Sequence, residues 1–293
     1  MKPISCLCFL LVITAVLSGC ASGESTATPI STETQHPSIT STLIHPTATE
    51  SPVPQTPTAT LPPTLQPGPA QEAIRTLLQR PVDCAAPCFW GITPQQTTLG
   101  DAQALFTHLG LQLRHTDTGD GKDFYAAIYD FDDGLRISHE LIAQNEIVTG
   151  LRVGIDPEPS RKGIPREWAA YSPDTLINRY GQPSEVDFSI NNPPDSGGAT
   201  SASYNMTIYF EKVDLIVKYD YGEIRPPITS RTACPLTNHF TLVSIWLGQN
   251  PENPPPSEAP LDKATSMTME QFSKLMTGDP SQACFDLKAA IFP

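Results

Sequence analysis

The residues of this chain whose types and spacing could do chemistry are few, and cysteines are the most informative of them. They stand at positions 6, 8, 20, 84, 88, 234 and 284. Cys84-Ala-Ala-Pro-Cys88 holds two thiols one residue further apart than a Cys-x-x-Cys redox pair. A disulfide, thiol exchange or copper handling through Cys84 and Cys88 are the chemistries that spacing allows. Asp132, His139 and Glu140 are the acid–base groups a hydrolytic site would have to gather, but His139 and Glu140 are neighbours on a predicted strand and so point to opposite faces. Asp117-Thr118-Gly119-Asp120-Gly121-Lys122-Asp123 offers oxygen donors without the alternation and closing glutamate of a calcium loop, and reads as a solvated turn. His36, His45, His108, His115 and His239 show no ligand spacing. Phosphate loops, Gly-x-Ser-x-Gly elbows, His-Glu-x-x-His pairs and Rossmann glycine signatures are absent from the sequence. It therefore assigns no catalytic residue, no metal ligand and no cofactor.

The start of the chain is an address. Lys2 precedes an apolar run over residues 4–17, which is shorter than the about 20 residues a spanning helix needs. Leu17-Ser18-Gly19-Cys20 follows directly and resembles the lipobox of bacterial lipoproteins. That resemblance implies a diacylglycerol thioether on Cys20, removal of residues 1–19 and acylation, as by palmitate, of the new amine. Two or more acyl chains anchor a protein stably where one does not. The expected product is an exported protein held by lipid on the outer face of the cell membrane or on the outer membrane.

Residues 20–70 follow as a tether. Of the fifty residues 21–70, 28 are Ser, Thr or Pro, none is aromatic, and the charges are Glu24, Glu33 and Glu50. Such a segment buries too little apolar surface to offset the entropy of ordering it, so disorder is expected. The net charge of −13 argues against nucleic acid and against hugging an anionic membrane surface. With Cys6 and Cys8 lost in the signal and Cys20 lipidated, Cys84, Cys88, Cys234 and Cys284 remain. An even number in an exported protein points to two disulfides with three connectivities. The favoured pairing is Cys84–Cys88, closing a tight loop around Pro87, and Cys234–Cys284, stapling the C-terminal tail.

From about Gln71 the composition changes to one with aromatic residues and β-branched runs, and two stretches repeat one pattern, 71–160 and 161–293, the second with a C-terminal helical extension. Thr98-Leu99-Gly100-Asp101 outlines a capping box before a helix over 99–109, followed by strands at 124–131, 135–143 and 146–155. Ser172-Pro173-Asp174 opens a second helix that Gly181 and Pro183 end, with strands at 185–190, 204–211, 214–221 and 240–247. A last helix starts at Thr268. Ile128-Tyr129 matches Ile208-Tyr209, Leu135 matches Leu215 and Ile137 matches Val217, each 80 residues on (128 to 208, 135 to 215, 137 to 217). The fold class expected is α+β, two helix-plus-antiparallel-sheet repeats after a disordered tether.

Pro87-Cys88-Phe89-Trp90-Gly91-Ile92-Thr93-Pro94, with Thr97-Thr98 and the helix, resembles a recurring module of uncharacterised bacterial lipoproteins. The Leu109-Gly110 and Tyr180-Gly181-Gln182-Pro183 helix exits, each leading into a meander, are similar to β-lactamase-inhibitor-like domains and to the small lipoprotein of the outer-membrane β-barrel assembly machine. The resemblance implies a non-enzymatic binding or envelope-scaffolding module, with an envelope protein or cell-wall component as partner. The alternatives are a cell-envelope hydrolase and a thiol redox or copper-handling protein. Trp90, Trp168 and Trp246 are expected mainly in the core. Replacing Cys20 by Ser is expected to move the protein from the detergent to the aqueous phase of a detergent partition; a variant that stays with detergent contradicts the lipid anchor.

Overall fold

Ala70, Ile74 and Leu78 recur at helical spacing and are buried along one side of the first helix, α1 (Pro67–Gln79), which starts on a proline free to occupy a first helical turn. The helix begins ahead of the compositional boundary at Gln71, because Gln66-Pro67-Gly68-Pro69 reads as linker while its prolines sit where helices tolerate them. The computed structural model describes residues 63–79, 84–117, 122–156, 166–191, 202–224, 231–237, 240–248 and 259–288. Met1–Pro57 and Thr58–Pro293 are two separate units, and all described residues belong to the second. Cys20, His36, His45, His239, residues 118–121 and the side chain of Trp168 lie outside the described residues.

Thr98 caps α2 (Leu99–His108) by accepting from the Asp101 N–H, and its hydroxyl donates to the Asp101 carboxylate at 2.7 Å. Asp thus closes the turn through the capping hydroxyl, not through the backbone as Glu or Gln would. Strands β1 (Arg114–Asp117), β2 (Asp123–Asp130), β3 (Arg136–Gln144) and β4 (Ile147–Asp156) follow. Next come a 3-10 helix (Arg166–Tyr171), α3 (Pro173–Tyr180), β5 (Glu185–Asn191), β6 (Ala202–Phe210), β7 (Leu215–Ile224), the short β8 (Arg231–Ala233) and β9 (Phe240–Leu247). The chain ends with β10 (Ala259–Pro260), the single turn α4 (Leu261–Ala264), α5 (Met269–Met276) and β11 (Phe285–Leu287). Thr268 and Gln271 form a complete capping box at α5.

The fold is α+β: helices packed on a nine-stranded sheet ordered β1-β2-β3-β4-β9-β7-β6-β5-β10, antiparallel at each pair. The two stretches do not make two sheets. Pairing of β4 with β9, Leu151 opposite Leu247 through Ile155 opposite Val243, joins them into one. One apolar core runs beneath all of it, including Ile74 and Leu78 of α1, Phe106 of α2, Leu176 of α3 and Phe272 of α5.

The 80-residue offset holds for β3 and β7, where Ile137 and Val217 are both buried, and fails for β2 and β6. Ile128 is 60 % exposed whereas Ile208 is fully buried. Ile137 pairs with Tyr129 and Val217 with Ile208, so the structural equivalent of Ile208 is Tyr129. One extra residue in the β6–β7 connection moves the match by one, and a one-residue slip exchanges the faces of a strand.

The Cys84 and Cys88 sulfurs lie at bonding distance, as do those of Cys234 and Cys284. The second pair continues the two-stranded β8–β11 ladder, in which Ala233 faces Phe285. No helix among the described residues is long and apolar enough to cross a membrane. Closing a longer loop restricts the unfolded chain more, about 4 kcal/mol for Cys234–Cys284 against about 2 kcal/mol for Cys84–Cys88. Replacing Cys234 and Cys284 together by Ala is therefore expected to lower the denaturant midpoint roughly twice as much as the same change at Cys84 and Cys88; equal losses would contradict this division.

Candidate functional site

Alternation along the strands sorts the sheet into two faces. Ile137, His139 and Leu141 of β3 belong to the inner face, which meets the helices; Arg136, Ser138 and Glu140 belong to the outer one. Along β2, β3 and β4 the outer face is open. Ile128 is the exposed large hydrophobic of the described residues, and Ser138 lies directly opposite it. Charges flank it: Arg136 Nε donates to Asp130 at 2.6 Å, and Arg152 Nη1 donates to Glu140 at 3.2 Å. The Arg152 guanidinium carbon also stands 5.5 Å from the centre of the Trp246 ring on β9, a cation–π placement that links the open part to the centre of the sheet.

From β9 onward the outer face changes character. Asp187, Asn205, Thr207 and Ser244 all have this parity and all are buried. The Asn205 side-chain amide donates to Ser189 Oγ at 3.1 Å, and Lys218 pairs with Asp220 at 2.9 Å. Burial pushes the Tyr209 hydroxyl up to about 12, with Asp187 and Glu185 adding repulsion and Asp187 a hydrogen bond to the neutral phenol. Burial likewise raises Glu185, followed by repulsion from Asp187 and Glu211. This end of the face keeps its ionisable groups close and partly desolvated.

On the inner face, the segment after Cys88 forms a tight hairpin. Phe89 and Ile92 exchange backbone hydrogen bonds of 3.0 and 2.9 Å around Trp90 and Gly91, whose φ angles are 55° and 84°. Two positive φ values define the turn that suits a two-residue hairpin, and glycine supplies one of them without strain. The hairpin delivers two aromatic rings to His139, whose ring centre lies 4.5 Å from Trp90, 5.9 Å from Phe89 and 5.0 Å from Phe106. Neither imidazole nitrogen has a hydrogen-bond partner among the described residues, and the Trp90 indole N–H lacks one too. Burial lowers the His139 pKa from 6.5 to about 3, so the ring is neutral.

The structure does not assemble the acid–base group considered from the sequence. Asp132 sits on the exposed β2–β3 turn, His139 is sealed in the core, and Glu140 is on the other side of the sheet with Arg152. Asp133, its neighbour, instead accepts from Arg75 Nη2 at 2.8 Å, and the Arg75 guanidinium lies 4.5 Å above the Phe131 ring, fixing α1 against the turn. Trp90 and Trp246 are buried. His115 meets Asp123 at 2.8 Å and His108 Nδ1 lies 2.7 Å from the Pro63 carbonyl oxygen. Three or more His, Cys, Asp or Glu residues arranged to hold a metal are not found among the described residues. The His139 environment was missed from the sequence, although Phe89-Trp90 beside a paired cysteine was the signal that a rigid aromatic hairpin enters the core.

Comparison with family models, with curated proteins and with solved structures finds no match to this chain.

The unfolded imidazole takes up its proton near 6.5 and the folded one only near 3. Between those values the unfolded chain binds the extra proton, so stability is full above the unfolded pKa and is lost as pH falls through the window, by at most about 1.4 kcal/mol per pH unit. Replacing His139 with Leu is expected to flatten the acid limb of stability between about pH 6 and 4, and to be neutral or stabilising at about pH 7 because two unpartnered buried nitrogens disappear. Denaturant unfolding across this range measures it; an unaltered acid slope would show that His139 has no part in it.

Proposed function

We propose that this chain is an exported lipoprotein, anchored through lipid on Cys20 and spaced from the membrane by its Ser/Thr/Pro-rich segment, which holds a protein partner of the cell envelope on the exposed part of its sheet. Its role on this reading is binding or scaffolding. The observation that carries this proposal is the outer face of β2, β3 and β4, where Ile128 lies exposed between the Asp130–Arg136 and Glu140–Arg152 pairs. An apolar side chain ringed by charged pairs is the pattern of a small contact centre with a polar rim. Asp132, His139 and Glu140, the residues that motivated a hydrolase, lie apart.

The binding face is built, on this proposal, from two copies of a helix followed by four strands: α2-β1-β2-β3-β4 and α3-β5-β6-β7-β9. The sheet order supports it, since the strands of the second set run in reverse order to those of the first across the β4–β9 seam. The seam pairs Val153 with Ile245 at its middle.

Crosslinking of the full mature protein in its native envelope tests this. The wild type should yield a discrete protein adduct, and Ile128→Arg and Ile128→Gln should each reduce it about tenfold while leaving the unfolding midpoint unchanged, as expected of an exposed contact residue. No adduct from the wild type, or an adduct indifferent to both substitutions, would overturn the proposal.

A further inference from the structure

We infer that Cys84 and Cys88 are an exchange-competent thiol pair in which Cys84 is the attacking thiolate, reacting with accessible disulfides outside the chain.

The assignment rests on the donor that the hairpin aims at sulfur. In the Phe89–Ile92 hairpin, the two outer residues satisfy each other, and the Gly91 N–H has no place in that ladder. It donates to Cys84 Sγ at 3.1 Å. Among the described residues, none of Cys88, Cys234 and Cys284 receives such a donor. A backbone N–H held against sulfur stabilises the thiolate over the thiol, which raises the reactive fraction near neutral pH. The donor is preorganised, because the turn that positions it is locked by Trp90 and Phe89 packing around His139 in the core.

Access and surroundings agree. Both cysteines are half-buried, Ala85 between them is exposed, and the pair borders a small hollow lined by Ala86, Ala170, Tyr171, Leu176, Arg179 and Tyr180. The Ala86 N–H donates to the Tyr180 hydroxyl at 3.0 Å, which holds the middle of the loop to α3, and Arg179 of the same helix also lines the hollow. Cys234 and Cys284 are half-buried as well, and what sets them apart is that they extend the β8–β11 ladder beside the buried Ala233, Ala283 and Phe285 and receive no such donor.

The exchange balances without a cofactor. The Cys84 thiolate attacks one sulfur of an external disulfide RSSR, forming a Cys84–S–S–R mixed disulfide and releasing RS⁻. The Cys88 thiolate then attacks Cys84 Sγ, forming the Cys84–Cys88 bond and expelling the second RS⁻. The pair loses two electrons and RSSR gains them, and the two thiol protons end on the released thiols. Run backwards, with a thiol as reductant, the same steps open the bridge.

The test uses the full mature protein and two probes. Glutathione at about neutral pH should open Cys84–Cys88 in the native protein while Cys234–Cys284 stays closed, as peptide mapping after alkylation reads. A short iodoacetamide pulse on the protein so reduced should then label Cys84 about tenfold faster than Cys88, with the midpoint of its pH–rate profile about one unit lower. In the Cys88→Ser variant, oxidised glutathione should trap a mixed disulfide on Cys84. A bridge that opens only when the protein unfolds, or a Cys88 that is labelled as fast as Cys84, would overturn the inference.

Discussion

Five residue pairs between β4 and β9 decide what kind of molecule this is. Leu151, Val153 and Ile155 face Leu247, Ile245 and Val243 across that seam, and all six side chains are essentially without solvent contact. A four-stranded sheet with a single short helix would leave an open edge and an unfinished core. Joining the two sets edge to edge removes both edges at once and lets α1, α2, α3 and α5 share one apolar interior. On the other side of β4, a Cβ at Gly154 would lie 2.6 Å from Ser138 Oγ, so any larger residue there would require that hydroxyl to turn away.

The same strand alternation that builds the core keeps the chemistry of the chain apart. His139 and Glu140 are adjacent in sequence but end on opposite sides of the sheet, one in an aromatic enclosure and the other ion-paired in solvent. What replaces an acid–base site is a division of labour. The inner face carries rigidity through rings packed on His139 and through Tyr219, whose hydroxyl donates to the Tyr171 carbonyl. The outer face grades from exposed ion pairs on β2–β4 to buried polar groups on β5 and β6.

The parts of the fold legible in the sequence were those written in local chemistry. Thr98, Ser172 and Thr268 marked the helix starts, and period-two runs with turn residues between them marked the long strands. β8, β10 and β11, each of two or three residues, carry no period of their own and exist through their partners. α1 hid behind prolines. The apparent repeat at 80 residues was part coincidence, because identical Ile-Tyr dipeptides on β2 and β6 face opposite ways. At the candidate sites the cysteine pairing was readable from the number and spacing of the cysteines, whereas the Gly91 N–H on Cys84 depends on a turn geometry set by packing around His139, and that is a tertiary fact.

The two rims of the large sheet differ from its middle. One ends in β10, only Ala259 and Pro260, where proline offers no N–H to a further strand. The other ends in the four-residue β1, whose Arg114, His115 and Thr116 are exposed and polar. Nine strands in register would otherwise be a long template for other copies of the chain. A two-residue strand ending in proline at one rim and a short polar strand at the other disfavour the addition of a strand from a neighbouring copy.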